Sequence, residues 1–268
     1  MHSRPVFGDV EVKLLVVPAE FGGERGYWHP VPRIPFPHCL MTFDPVCFSE
    51  TAYARYGISL PASIQRSVPK RQAEYFFARL AAAHCLRALG RGSVHVGIGA
   101  SREPLWPHGF VGSITHCDGV AAAVVAPVGE VLGIGLDIES ADAVSPELAM
   151  AGSILDAHEL AVLARQVTRR SLTHAATAAF CAKECFFKAT FGAVGHFFDF
   201  SAVRVIQTAS DATTLVLRVN QTLASALPAA SSHRVQICEL AGGLLLADYA
   251  WEPAASAAVT PLCTSNSD

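Results

Sequence analysis

Two carboxylates stand one strand repeat apart in the run Val131-Leu132-Gly133-Ile134-Gly135-Leu136-Asp137-Ile138-Glu139. Alternation places Leu132, Ile134, Leu136 and Ile138 on one face and Gly135, Asp137 and Glu139 on the other. The glycines leave that second face open to something bulky. Two neighbouring carboxylates repel unless a cation lies between them. Such oxygen ligands suit Mg²⁺, which takes one or two carboxylates plus phosphate and water. The same pattern also suits a solvent-facing strand, and this run alone leaves both readings open.

A helix over residues 171–191 carries charges beside its apolar stripe. At about 100° per residue, Leu172, Ala176, Phe180, Phe187 and Phe191 fall in one inward arc. Lys183 lies within that arc, Glu184 at its edge and Lys188 one turn beyond. A Glu184–Lys188 pair is worth only ~0.2–0.5 kcal/mol and leaves Lys183 facing a core. The preferred reading is an arc that opens onto a site. His116 closes the strand Gly112-Ser113-Ile114-Thr115-His116 and fits either a structural or a chemical role. The rigid loop Arg102-Glu103-Pro104 lies nearby in sequence. Lys70 and Arg71 open an earlier helix, and Arg79 sits on its apolar side; all three could bind phosphate or simply be solvated. Phosphate-cradling glycine loops, nucleophile elbows and HExxH zinc motifs do not occur.

The elements that must position these groups follow from periodicity and breakers. Residues 1–60 read as short strands and loops, followed by a helix over 64–89 that ends at Gly90 and Gly92. Strands are expected at 94–98, 111–116, 120–125 and 131–139, with Cys117-Asp118-Gly119 as a hairpin turn. Helices at 153–166 and 171–191 come next, then strands at 200–207, 214–219, 235–240 and 244–251. The order is helix then strands, twice. A short echo, Ala73-Glu74-Tyr75-Phe76-Phe77-Ala78-Arg79 against Lys183-Glu184-Cys185-Phe186-Phe187-Lys188-Ala189, fits a duplicated α+β half.

The 268 residues are 51% hydrophobic, enough for one large or two small cores. A net charge of −3, from 20 basic and 23 acidic residues, argues against nucleic acid as partner. Apolar runs are of strand length, so no membrane association is expected, and the first ten residues do not read as a signal peptide. The eight cysteines form no CxxC pair, which fits free thiols in a cytoplasmic protein. Cys181, Cys185 and His174 fall short of a zinc set.

Five blocks together resemble the Sfp-type 4′-phosphopantetheinyl transferases, especially the branch of enterobactin synthase component D. They are Lys70-Arg71-Gln72-Ala73-Glu74 with Arg79, Arg102-Glu103-Pro104-Leu105-Trp106-Pro107, Gly112-Ser113-Ile114-Thr115-His116, Gly135-Leu136-Asp137-Ile138-Glu139, and Phe180-Cys181-Ala182-Lys183-Glu184 through Lys188-Ala189. They stand in the family's order across about 120 residues. The resemblance implies a pseudo-duplicated α+β fold with the active site between its halves. Residues 1–60 would be an N-terminal extension packed on the first half, 61–130 the first half, 131–252 the second and 253–268 a flexible tail.

It further implies transfer of 4′-phosphopantetheine from coenzyme A to a serine of an apo acyl, aryl or peptidyl carrier protein. The metal would be Mg²⁺, with Mn²⁺ able to replace it, held by Asp137, Glu139 and Glu184. Glu184 would also act as base, Lys188 would neutralise the departing 3′,5′-ADP, and His116 and Lys183 would contact phosphates. Lys70, Arg71, Arg79, Arg102, Pro104, Ser113 and Thr115 complete the implied coenzyme contacts, in a protein expected to be a monomer. Acidic carriers would dock near Arg165, Arg169 and Arg170. His158 departs from the family's usual acidic residue, and Cys181 and Cys185 from its small ones. The same carboxylates and lysines would serve a Mg²⁺-dependent phosphohydrolase of coenzyme A or nucleotides. A non-catalytic coenzyme A-binding module would be expected to have lost one of them.

Overall fold

The computed structural model describes residues 34–92, 95–165, 170–209, 213–240 and 242–253. In chain order these form β1 (His38–Thr42), α1 (Thr51–Tyr56), α2 (Ala62–Gln65), α3 (Pro69–Ala88), β2 (Gly97–Ile98), β3 (Pro104–Leu105), β4 (Phe110–Cys117) and β5 (Val120–Pro127). Then follow β6 (Gly133–Ser140), α4 (Pro146–Ala151), α5 (Ala157–Ala164), α6 (Leu172–Val194), β7 (Val203–Thr208), β8 (Thr214–Val219), β9 (Ser232–Leu240) and β10 (Leu244–Trp251). The architecture is α+β with two helix-on-sheet units. α3 packs on the antiparallel sheet β1-β5-β4, and α6 packs on the antiparallel sheet β6-β10-β9-β8-β7. Among the described residues no helix is long and apolar enough to cross a membrane.

The helix expected over 64–89 is two helices. Pro69 has no N–H to give a preceding turn, and it holds Val68 extended at φ −64°, ψ 152°. α2 therefore stops at Gln65, and α3 restarts with the proline at its first turn. The helix expected over 153–166 is shorter, bounded by an Asp156–Glu159 capping box, and α4 precedes it unforeseen behind the cap Ser145. Residues 34–60 include a helix as well as a strand, and supply rings to α3: Phe43 stacks on Phe77 with centroids 4.3 Å apart. The strand expected at 94–98 is only Gly97–Ile98; Val94 and residues 1–33 lie outside the described residues. Asp118 and Gly119 turn β4 into β5 with φ of 38° and 78°, as that dipeptide predicts.

β5 is buried on both faces. Ala121, Ala123 and Val125 join the α3 core, while Val120, Ala122, Val124 and Ala126 meet Ile134, Leu136 and Ile138 of β6 and Leu246 of β10. That third cluster holds the two sheets together. The opposite face of β6 lies under α6. A Cβ at Gly133 or Gly135 would collide with the carbonyl oxygens of Ala189 or Cys185, so these glycines admit the helix backbone itself rather than a ligand.

On α3, burial and, to a lesser degree, the charge of Arg87 drive the pKa of His84 down to about 4. The unfolded chain binds that proton near the usual histidine value, so stability is full above it and falls as pH drops toward 4. His84→Gln is expected to flatten this acid limb in chemical unfolding at pH 7 and pH 5. An unchanged slope would show that His84 does not contribute to it.

Candidate active site

β4 and β6 are edge strands of different sheets, yet their facing edges are not left bare. Side chains of β4 replace the missing ladder. Ser113 Oγ accepts from Leu136 N at 3.0 Å and donates to Leu136 O at 3.3 Å. Two residues on, Thr115 Oγ1 accepts from Ile138 N at 3.3 Å and donates to Asp137 Oδ1 at 3.0 Å. Cys117 Sγ then donates to Glu139 Oε2 at 3.7 Å. Both strands advance by two residues at each step, so they run the same way along this seam.

Asp137 is 4% exposed, which rules out the solvent-facing reading of its strand face. Lys188 Nζ donates to its Oδ1 at 2.6 Å and to Leu136 O at 3.3 Å. Burial works against charge on Lys188, but the Asp137 carboxylate outweighs it and raises the ammonium pKa. Asp137 Oδ2 is buried with no partner. Burial, then the charge of Asp137, pushes Glu139 up to about 7. Burial also raises Glu184, against the pull of Lys188 and with the push of Asp137.

These groups form an acidic site with one orphaned buried oxygen and only one lysine to offset it. A hard cation fits that donor set. Among the described residues no three His, Cys, Asp or Glu side chains are close enough to hold a metal alone. Asp137, Glu139 and Glu184 thus do not form a closed ligand set, and a cation here would draw its other ligands from phosphate and water.

The expected inward arc of α6 holds at Leu172, Ala176 and Phe180, which pack in or against the core, and is corrected at Phe187 and Phe191. Where the helix lies on the glycines of β6 its buried residues are small, Cys181, Ala182, Cys185 and Ala189, while the large buried side chains are Phe186 and Lys183. Phe187 and Phe191 instead line a cavity of about 460 Å³ between α6, β4 and the start of β6, together with Glu184 and Lys188. Trp106, Ile114 and Leu132 continue its apolar wall, and Arg102, Pro104 and Ser113 reach it from the other half. Arg102 sits there in a left-handed turn, at φ 68°. The aromatic spacing along α6 was visible in the sequence, but alone it reads as core.

Lys183 does not join the site. Its side chain is 1% exposed, and its ammonium lies 2.7 Å from Glu159 Oε1 and donates to Ile154 O at 2.7 Å and Phe200 O at 3.2 Å. Adjacent helix residues point about 100° apart, and this turn carries Lys183 away from the cavity that Glu184 lines. The expected phosphate contact of Lys183 is therefore replaced by a buried ion pair. Arg79 is likewise committed to the fold. It donates to Val96 O at 2.9 Å and Gly97 O at 3.2 Å, with its guanidinium 4.5 Å from the Tyr75 ring centroid.

Beyond the seam, Arg71 Nη1 donates to His116 Nε2 at 2.6 Å, and Glu74 Oε2 lies 3.3 Å from Arg71 and 3.8 Å from His116 Nδ1. Burial lowers the His116 pKa; Glu74 opposes this and Arg71 adds to it. His116 is thereby kept a neutral acceptor toward Arg71. Exposed Lys70 lies 3.8 Å from Asp118 at the hairpin turn. Of the arginines expected to meet a carrier, Arg170 is paired with Glu239 and Arg169 lies outside the described residues.

The comparisons agree with this two-unit geometry. The family model for the 4′-phosphopantetheinyl transferase N-terminal domain matches residues 60–126, and that for the 4′-phosphopantetheinyl transferase superfamily matches 133–241. Enterobactin synthase component D of Salmonella typhi is 41% identical over 120 residues, 45% of this chain and 48% of that protein. 4′-Phosphopantetheinyl transferase Npt of Nocardia iowensis is 38% identical over 127 residues, 47% of this chain and 54% of that protein. Enterobactin synthase component D of Escherichia coli K12 is 37% identical over 153 residues, 56% of this chain and 69% of that protein. The chain belongs to the 4′-phosphopantetheinyl transferase superfamily. It spans about half the length of the Salmonella and Nocardia relatives.

The superfamily's two matched segments meet at the seam. Lys70, Arg71, Ser113, Thr115 and His116 come from the N-terminal-domain match, and Asp137, Glu139, Glu184 and Lys188 from the superfamily match. Neither segment holds the candidate site alone.

Proposed function

We propose that this protein transfers 4′-phosphopantetheine from coenzyme A to a serine of an apo carrier protein, with Mg²⁺, releasing 3′,5′-ADP. The observation that carries this reading is the unpartnered Oδ2 of Asp137, beside Lys188 and next to a mostly apolar cavity. Coenzyme A has the matching shape: a charged diphosphate joined to a neutral pantetheine arm. The arm would occupy the cavity along Trp106, Phe187 and Phe191, with the diphosphate at Lys188.

Asp137 and Glu139 would hold the Mg²⁺, with Glu184 completing its approach to the phosphate. When bound, that ion neutralises diphosphate charge and polarises the phosphorus–oxygen bonds. Glu184, whose pKa burial raises, is suited to accept the serine proton. The serine oxygen forms a bond to the β-phosphorus as the bond to the bridging oxygen breaks, and the pair leaves with 3′,5′-ADP. Lys188 offsets the charge gathering on that leaving group. Arg71 and Lys70, beside neutral His116, form a cationic end for the nucleotide phosphates. Because all groups are preset, positioning and charge neutralisation carry the reaction and no enzyme-bound intermediate is needed.

Incubation with coenzyme A, Mg²⁺ and apo acyl, aryl and peptidyl carriers is expected to add one phosphopantetheinyl mass to at least one carrier. Release of free phosphopantetheine with no carrier modified would instead identify a hydrolase and overturn the proposal. Unchanged coenzyme A and carriers would also overturn it.

A further inference from the structure

We infer that Thr115 is a positioning residue that aims Asp137, and not a contact for the coenzyme. The inference rests on the proposed role of Asp137 as a cation ligand. Thr115 is 4% exposed and lies in the seam, where its hydroxyl is fully committed: it accepts from Ile138 N and donates to Asp137 Oδ1. A hydroxyl has one proton to give, so none remains for a phosphate.

The effect falls on one atom. Asp137 Oδ1 receives two donors from opposite sides, Thr115 on β4 and Lys188 on α6, while Oδ2 makes no hydrogen bond. The buried Cys181 thiol of α6 is a weak further neighbour of the carboxylate. With Lys188 alone, the carboxylate could rotate about its terminal torsion and offer either oxygen to the ammonium. The Thr115 donor removes that freedom and keeps Oδ2 outside the ion pair. Ser113 sets the register beneath it by accepting from and donating to Leu136. The orientation of a carboxylate in the second half is thus decided by a hydroxyl in the first. This gives the seam a chemical role beyond holding two sheet edges together.

Thr115→Val keeps the shape and removes the donor, while Thr115→Ser keeps the donor. Binding of Mn²⁺, read from the free-ion electron paramagnetic resonance signal with coenzyme A present, is expected to weaken about 10–100-fold in Thr115→Val. Thr115→Ser should stay within about threefold of the parent, the scale of contextual variation. In transfer assays kcat should fall in Thr115→Val with the carrier KM unchanged. In an Asp137→Asn background, Thr115→Val should add no further loss of Mn²⁺ affinity.

Parent-like Mn²⁺ binding by Thr115→Val would overturn the positioning role, as would a full additional loss in the Asp137→Asn background. Absence of Mn²⁺ binding by the parent protein would overturn the metal reading beneath it, so the two failures are distinguishable. If Thr115→Val does not fold, Thr115→Cys retains a weaker donor and should show the same weakening at reduced size; parent-like affinity there would equally overturn the role.

Discussion

Asp137→Asn is expected to lower carrier modification by about 10²–10³-fold, the scale set by removing one preorganised charge-stabilising group from a reaction centre. Asparagine keeps the shape, and its amide oxygen can still accept from Thr115 and Lys188. What it loses is the negative charge and the second carboxylate oxygen, the atom without a partner in the fold. The melting temperature should stay within a few degrees of the parent. Lys188 Nζ keeps Leu136 O as an acceptor, and the asparagine oxygen replaces the carboxylate Oδ1, so the ammonium is not left without partners. Carrier mass spectrometry over a time course, with thermal melting alongside, separates the two effects. Near-parental transfer by Asp137→Asn would end the assignment of this carboxylate to the chemistry.

Lys183→Met is expected to act on stability, by about 3–5 kcal/mol, because it strands a buried carboxylate. Glu159 is 3% exposed, and its oxygens also accept from Val205 N at 2.8 Å and Asp156 N at 2.9 Å. Those neutral donors hold the side chain in place after its counter-charge is gone. Denaturant unfolding should show a large fall in midpoint with little change in slope. The double variant with Glu159→Gln should recover much of the loss, since neither charge then remains buried. A phosphate-binding role for Lys183 predicts the reverse: parental stability and a raised coenzyme A KM.

These two residues mark where periodicity is informative and where it stops. The alternation of 131–139 correctly separates Ile134, Leu136 and Ile138 from Gly135, Asp137 and Glu139, because strand geometry assigns faces locally. It does not say what covers each face. The glycines read as room for a ligand, and the occupant is the backbone of α6. On α6, three neighbouring charges could be noticed as unusual, but their fates diverge. Lys183 is buried against α5, while Glu184 and Lys188 line the cavity. The helix wheel places Phe187 and Phe191 inward, but they line the cavity; Phe186 is the fully buried ring, and small residues pack against β6 because they allow close approach. Pro69 marks the break between α2 and α3 by its residue type, whereas the apolar pattern runs on across it.

By itself the sequence determined the α+β class, the order of elements, the Asp118-Gly119 hairpin and the ordered blocks that mark the superfamily. All of these depend on local conformational preference or on residues close in the chain. Only the tertiary structure decided that β4 and β6 meet edge to edge through hydroxyls, that Asp137 keeps one oxygen without a partner, and that Lys183 and Arg79 belong to the fold. Each depends on groups far apart in sequence, as Thr115 and Asp137 are, and on which of several possible partners lies within hydrogen-bond reach once the two units pack. Hydrogen bonding and desolvation change steeply over an ångström or so, and chain spacing alone does not define distance that finely.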